Sequence, residues 1–252
     1  MKTVNCFDDH APKTEWLASF FDLQDKFFEE HTLGPNMFTH FKRFLRDANL
    51  IEKEKCTDFS GLICKLGWES DTALGLIVTN MAYDNAQFEW YVQNMDVGVY
   101  YEIDQIKDQL MAMEMKERAA KSIIKSFARI AATPIGTVLN FGFSDENDMV
   151  RTKWSMSDKR VFLYALYRFV EKCNLNHELN VAYLFDESIE RDGVSPVRLV
   201  GLYNEEELRS TLMGLSERHP SFINATYTND LRTISLRDKT SADVLRLFEE
   251  DL

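Results

Sequence analysis

The stretch that most constrains this chain runs from His31 to Lys55. Thr32-Leu33-Gly34 reads as a tight connector, and Pro35 suits a first helical position, where a missing N–H costs nothing. Phe38, Phe41, Leu45 and Ala48 then recur at helical spacing on one face, with Asn36, Thr39, His40, Arg43 and Arg46 on the other. Asn49 fits a left-handed helix stop, and Leu50-Ile51-Glu52-Lys53 begins a strand running to residue 55. Upstream, Lys13 to Glu30 predicts one helix with a wide stripe of Trp16, Leu17, Phe20, Phe21, Leu23, Phe27 and Phe28. A helix, a tight turn, a second helix with a polar basic face and a trailing strand predict a winged helix-turn-helix, whose second helix can read DNA. The same motif also joins proteins, so the polar face carries both readings at this point.

Two further segments repeat the pattern. Asp104 begins a helix with Ile106, Leu110 and Met111 inward, and Lys116 to Ile130 follows as a second. The latter sets Ala120, Ile123, Ile124, Phe127 and Ile130 against Arg118, Lys121, Lys125 and Arg129, with Ser122 and Ser126 beside the cations. Glu117 is almost the only compensating acid there. Such a row is either a solvated face or a phosphate-binding one. Thr133-Pro134-Ile135-Gly136 ends that helix, Val138 to Phe143 predicts a strand, and Met149 to Trp154 a returning one with Arg151 and Lys153 on a basic leg. The apolar helix from Asp158, a loop at Asn174–Asn180 and the amphipathic helix Glu205–Arg218 lead to a hairpin turning at Asn229-Asp230. A last helix spans Ser241 to Glu249. No sequence repeat accompanies this recurrence. The expected fold is mainly α with short β-hairpins, as tandem winged helix-turn-helix units: residues 1–65, 66–156 and 157–252.

The chain's 252 residues allow one large domain or several small ones. A net charge of −12 argues against a histone-like coat, though not against a reader with one basic face, because potentials act within about 10 Å at physiological salt. No apolar run is long enough to span a membrane, and Asp8, Asp9 and His10 stand where a signal peptide would be apolar, which predicts a cytoplasmic protein. Cys6, Cys56, Cys64 and Cys173 lack CxxC spacing and read as reduced thiols. No GxGxxG, P-loop, HExxH or GxSxG pattern occurs, which removes the usual dinucleotide, nucleotide, zincin and hydrolase sites. Asp8-Asp9-His10, Glu114-Met115-Lys116 and the acidic turn Asp145-Glu146-Asn147-Asp148 fit solvated loops and turns better than metal sites, and no catalytic constellation stands out.

In order along the chain, several segments resemble a bacterial winged-helix family of DNA phosphorothioation clusters. They are Leu33-Gly34-x-Asn36-Met37, Leu50-Ile51-Glu52, Thr57-x-x-Ser60-Gly61, Gly67-Trp68-Glu69-Ser70-Asp71-Thr72-Ala73-Leu74, Trp90, Thr133-Pro134-Ile135-Gly136, Tyr164-Ala165-Leu166 and Gly193-Val194-Ser195-Pro196 leading to Leu202. That family includes the DNA-nicking component of the Ssp-type system and modules accompanying phosphoadenosine-phosphosulfate-reductase-like proteins. The resemblance implies a DNA-binding component of a phage-defence pathway, with Mg²⁺ or Mn²⁺ as cofactor if it nicks DNA so that sulfur can be installed. It also implies a cysteine desulfurase or reductase-like partner, and the alternative of a non-catalytic adaptor that docks such an enzyme; a homodimer stays open. Family members begin with a Phe-x-Gly-His-Glu-Thr-Phe segment before a Trp-Leu pair. Here Phe7, His10, Trp16 and Leu17 echo it without the Gly, Glu, Thr and second Phe, which points to binding without cutting.

Overall fold

Gln24 sets the first departure from simple periodicity. In the computed structural model, which describes residues 4–186, 193–228 and 231–251, α1 (Thr14–Leu23) buries Trp16, Leu17, Phe20 and Phe21. The single helix expected from 13 to 30 is broken there, because Gln24 takes φ 52° and its amide donates to the Phe21 carbonyl at 2.9 Å and to Cys64 Sγ at 3.0 Å. A 3-10 turn (Gln24–Lys26) then leads into α2 (Phe27–Glu30), which returns Phe27 to the core. The Cys64 contact comes from a residue distant in sequence, so the local pattern could not announce it.

The helix α3 (Pro35–Asp47) keeps its expected bounds, with Phe41, Phe44 and Leu45 buried and Asn49 left-handed at φ 61° beyond it. The strand expected at 50–55 is instead a small hairpin, β1 (Ile51–Glu52) and β2 (Lys55–Cys56), folded around Lys53 at φ 59°. Thr57, Ser70 and Asn85 each accept backbone N–H groups at the starts of α4 (Asp58–Leu66), α5 (Asp71–Asp84) and α6 (Ala86–Asn94). From Ala73 to Tyr83, α5 is buried on every side, and it forms the centre of this half of the chain. Asn80 donates to the Ala48 carbonyl at 3.1 Å and Asn85 to Asp47 at 2.8 Å, tying α3 to α5 and α6.

Next come β3 (Tyr100–Glu102), α7 (Ile103–Ala112), α8 (Glu117–Ala131), α9 (Pro134–Thr137), β4 (Gly142–Ser144) and β5 (Asp148–Arg151). The sheet is antiparallel in the order β3-β5-β4. The strand expected from Val138 is shortened by α9, since the Val138 and Leu139 amides still bond to the Pro134 carbonyl. Met111, expected inward, is 41% exposed, whereas Ile106 and Leu110 are buried.

The remaining elements are α10 (Arg160–Cys173), β6 (Glu178–Asn180), α11 (Val181–Phe185), α12 (Pro196–Val200), α13 (Glu205–Arg218), β7 (Ile223–Tyr227), β8 (Arg232–Leu236) and α14 (Ser241–Glu249). Their sheet has the order β6-β8-β7, and β6 lies in the stretch expected to be a loop. The Asn229-Asp230 turn lies outside the described residues. Packing divides the chain into two compact units, Met1–Ser155 and Met156–Leu252. Both units are mainly helical with small antiparallel sheets. In each three-stranded sheet, a strand that precedes the helices pairs with the last strand of the hairpin that follows them. No described helix is long and apolar enough to cross a membrane.

Candidate nucleic-acid interface

On α3 the polar face is less open than its sequence suggests. Asn36, Thr39 and Arg46 are exposed, but His40 and Arg43 are half-buried. His40 Nδ1 lies 3.3 Å from the Cys6 carbonyl oxygen. Arg43 donates to that same oxygen at 3.4 Å and to Cys6 Sγ at 3.1 Å. Asp47 meanwhile accepts from Arg43 at 3.4 Å and from Arg46 at 3.0 and 3.1 Å. Both arginines therefore face an acid on their own helix, and the net field of this face is weak. Thr39 turns its hydroxyl back to the Pro35 carbonyl at 2.9 Å.

The cationic face lies on α8. Ala120, Ile123, Ile124, Phe127 and Ile130 are buried as expected, and Arg118, Lys121 and Lys125 are exposed with Arg129 half-exposed. Lys121 pairs with Glu117 at 2.6 Å, and Asp104 of α7 adds a weaker attraction to Lys121. Ion pairing with Lys121 holds the Glu117 carboxyl below its usual range. No ion pair engages Arg118, Lys125 or Arg129 among the described residues. The C-terminal half of α8 thus keeps its charge uncompensated, at the helix end where cations also gain from the dipole. Ser122 and Ser126 do not flank this row: both are buried, and Ser126 donates to the Asp8 carbonyl at 2.7 Å.

Arg151 corrects a second expectation. It stands in the central strand of its sheet and is 1% exposed, so it cannot serve as a basic residue on the hairpin's surface. Its charge partly offsets the burial that raises the pKa of the neighbouring Tyr91 phenol. Lys153, beyond β5, is exposed.

The N-terminal segment is the part of this region that carries no periodic signal. Phe7 is fully buried between Phe44 and Phe88, at ring separations of 6.2 and 6.4 Å, contacts typically worth about 0.5–1.5 kcal/mol each beyond their area. The Cys6 amide donates to Gln87 at 3.0 Å, and the His10 ring lies 5.6 Å from that of His40. Residues 6–10 thereby touch α3, α6 and α8.

This arrangement of elements has a solved counterpart. The fold is similar to that of SspB. Two solved structures, a crystal structure of SspB and a magnesium-ion-bound one, each superpose with a TM-score of 0.70 over 100% of this chain and 88% of SspB, at 11% identity. No family model matches the chain, and no curated protein matches its sequence. Although one SspB structure holds magnesium, no three His, Cys, Asp or Glu side chains converge as a metal-binding group among the described residues of this chain. Relative to SspB the similarity is therefore one of architecture, and the chemistry rests on this chain's own side chains.

Proposed function

We propose that this chain is a DNA-binding component of a bacterial DNA phosphorothioation or related defence pathway, with α8 lying against backbone phosphates. The observation that carries this reading is the row Arg118, Lys125 and Arg129, uncompensated on an otherwise acidic chain. Two further features support it. In both three-stranded sheets the strand order fits the plan of a winged helix, and on that reading α8 would be the recognition helix of residues 66–156 and α13 its counterpart in 157–252. The β1–β2 hairpin after α3 gives residues 1–65 a reduced version of the same plan. The fold similarity to SspB supports the choice of pathway.

Within this reading α3 positions rather than attracts. Asn36 and Thr39 are exposed polar groups suited to a groove, while the charge of Arg43 and Arg46 is already answered by Asp47. The acidic first turn of α13, Glu205-Glu206-Glu207, disfavours phosphate there, which leaves α8 as the principal contact. A metal-dependent nick that opens the backbone for sulfur would be a further step, implied by the family resemblance alone.

The test is the paired reversal Lys125→Glu and Arg129→Glu. Duplex affinity should fall at least about tenfold at moderate salt, and the dependence of log K on log salt should become shallower by about 2. Unchanged affinity in fluorescence anisotropy would overturn the assignment of α8. Relaxation of a supercoiled plasmid with Mn²⁺, absent from a chelated control, would add nicking to this role.

A further inference from the structure

The solvent face of the β3-β5-β4 sheet carries exposed aromatic side chains. Its register places Tyr100, Val150 and Phe143 in one row across the three strands, and alternation puts them on one face. The outer rings lean together with centroids 5.9 Å apart and planes at 72°. Val150 beneath them is 2% exposed, yet Tyr100 keeps 64% and Phe143 43% of its surface in water. Val99 adds another exposed apolar side chain next to β3. Aromatic rings held rigidly by a sheet and left exposed are typical anchors of protein interfaces.

The rim of this patch is acidic. Two residues along the same face, Glu102 stands directly opposite Asp148, and like charges in that position disfavour the sheet. Asp145 and Glu146 form the adjoining turn, where Asp145 accepts the N–H groups of Asn147 and Asp148 at 2.8 Å each. No lysine or arginine pairs with Glu102, Asp145, Glu146 or Asp148 among the described residues; the nearby Lys107 and Lys121 are bound to Asp104 and Glu117. This sign repels nucleic acid and suits a cationic partner.

We propose that this face docks a positively charged segment of a partner protein, one of whose apolar or aromatic side chains rests on the Tyr100–Phe143 pair while its lysines or arginines meet Glu102, Asp148, Asp145 and Glu146. Docking here is independent of whether α8 meets DNA. The two surfaces have opposite charge and share no residue, so one unit can hold an anionic and a cationic ligand together.

The experiment uses the full chain and two synthetic peptides, one alternating Lys and Arg with Leu around a single Trp, the other with Glu and Asp in place of every basic residue. Side-chain and amide NMR shifts locate binding, and calorimetry gives the affinity. The basic peptide should bind saturably and shift Val99, Tyr100, Phe143 and Asp148, and the acidic one should not bind. Tyr100→Ala should weaken the basic peptide by about tenfold, as should Glu146→Gln combined with Asp148→Asn, a pair that leaves the apolar packing intact. Four results would overturn the proposal: shifts confined to other surfaces, unaltered affinity in the charge-neutralised variant, the same residues responding to a single-stranded oligonucleotide, or a self-association that Tyr100→Ala abolishes.

Discussion

Asp47 decides what α3 can do with its arginines. By sequence Arg43 and Arg46 look equivalent, one turn apart on a polar face, but only Arg43 is also held by a group outside its own helix. Arg43 is held between Asp47 and the Cys6 carbonyl. Replacing Arg43 with Ala should therefore lower stability by about 1 kcal/mol, discounted for its partial exposure. Arg46→Ala should stay within about 0.5 kcal/mol. Urea unfolding of the two variants checks this; equal losses would show that the Cys6 contacts contribute nothing. At this scale much was legible. The buried face of α3, the left-handed Asn49 and the cap at Thr57 all follow from residue type and spacing, since each depends on neighbours within a turn. The burial of Arg151 and the tethering of His40 were not, because they depend on residues far away in sequence.

Among elements, the junction from α8 through α9 into β4 fixes where the cationic row stands against its sheet. Gly142 is one tight point of that junction. A Cβ there would lie 2.5 Å from both the Tyr91 hydroxyl and the Val150 carbonyl, so β4 can approach β5 and α6 only with glycine at this place. Gly142→Ala should cost about 1–3 kcal/mol by overpacking, and the cross-peaks between the Tyr100 and Phe143 rings should disappear from NMR spectra. An alanine variant with full stability would mean that β4 shifts freely. Helices were the most readable elements, because buried stripes such as Ile123, Phe127 and Ile130 repeat at their period. Short strands such as β6, three residues long, carry too few alternations to distinguish them from a loop.

Over the whole molecule, the two units can be followed separately, because Trp16, Trp68, Trp90 and Trp154 all fall in the first. His219 of the second unit has its pKa pushed below 6.5 by burial, with Arg160 adding repulsion. A base whose folded pKa is depressed contributes stability that is present above its unfolded pKa and lost as pH falls through the folded value. Between pH 7 and 5, far-UV circular dichroism should therefore show the second unit melting earlier, while the tryptophan transition is unaffected by this group. His219→Gln should flatten the slope, and an unchanged slope would assign it to other groups. The overall architecture was legible as mainly helical with small hairpins, and the similarity to SspB at 11% identity shows that this plan survives almost complete change of side chains. Where function was concerned, the row on α8 was readable from charge spacing alone. The acidic aromatic sheet face was not, since its three side chains come from three strands brought together only by register.

The N-terminal segment also shapes how the protein is made. The Asp8 carbonyl meets Ser126 across a separation of 118 residues. At typical synthesis rates the ribosome needs roughly 6–24 s to cover that distance. Throughout that interval Phe7 lacks its α6 neighbours or the helix that closes over them, so the first unit cannot finish folding until α8 has left the exit tunnel. A nascent chain stalled before α8 should expose this segment to chaperones and proteases, and one stalled after it should not.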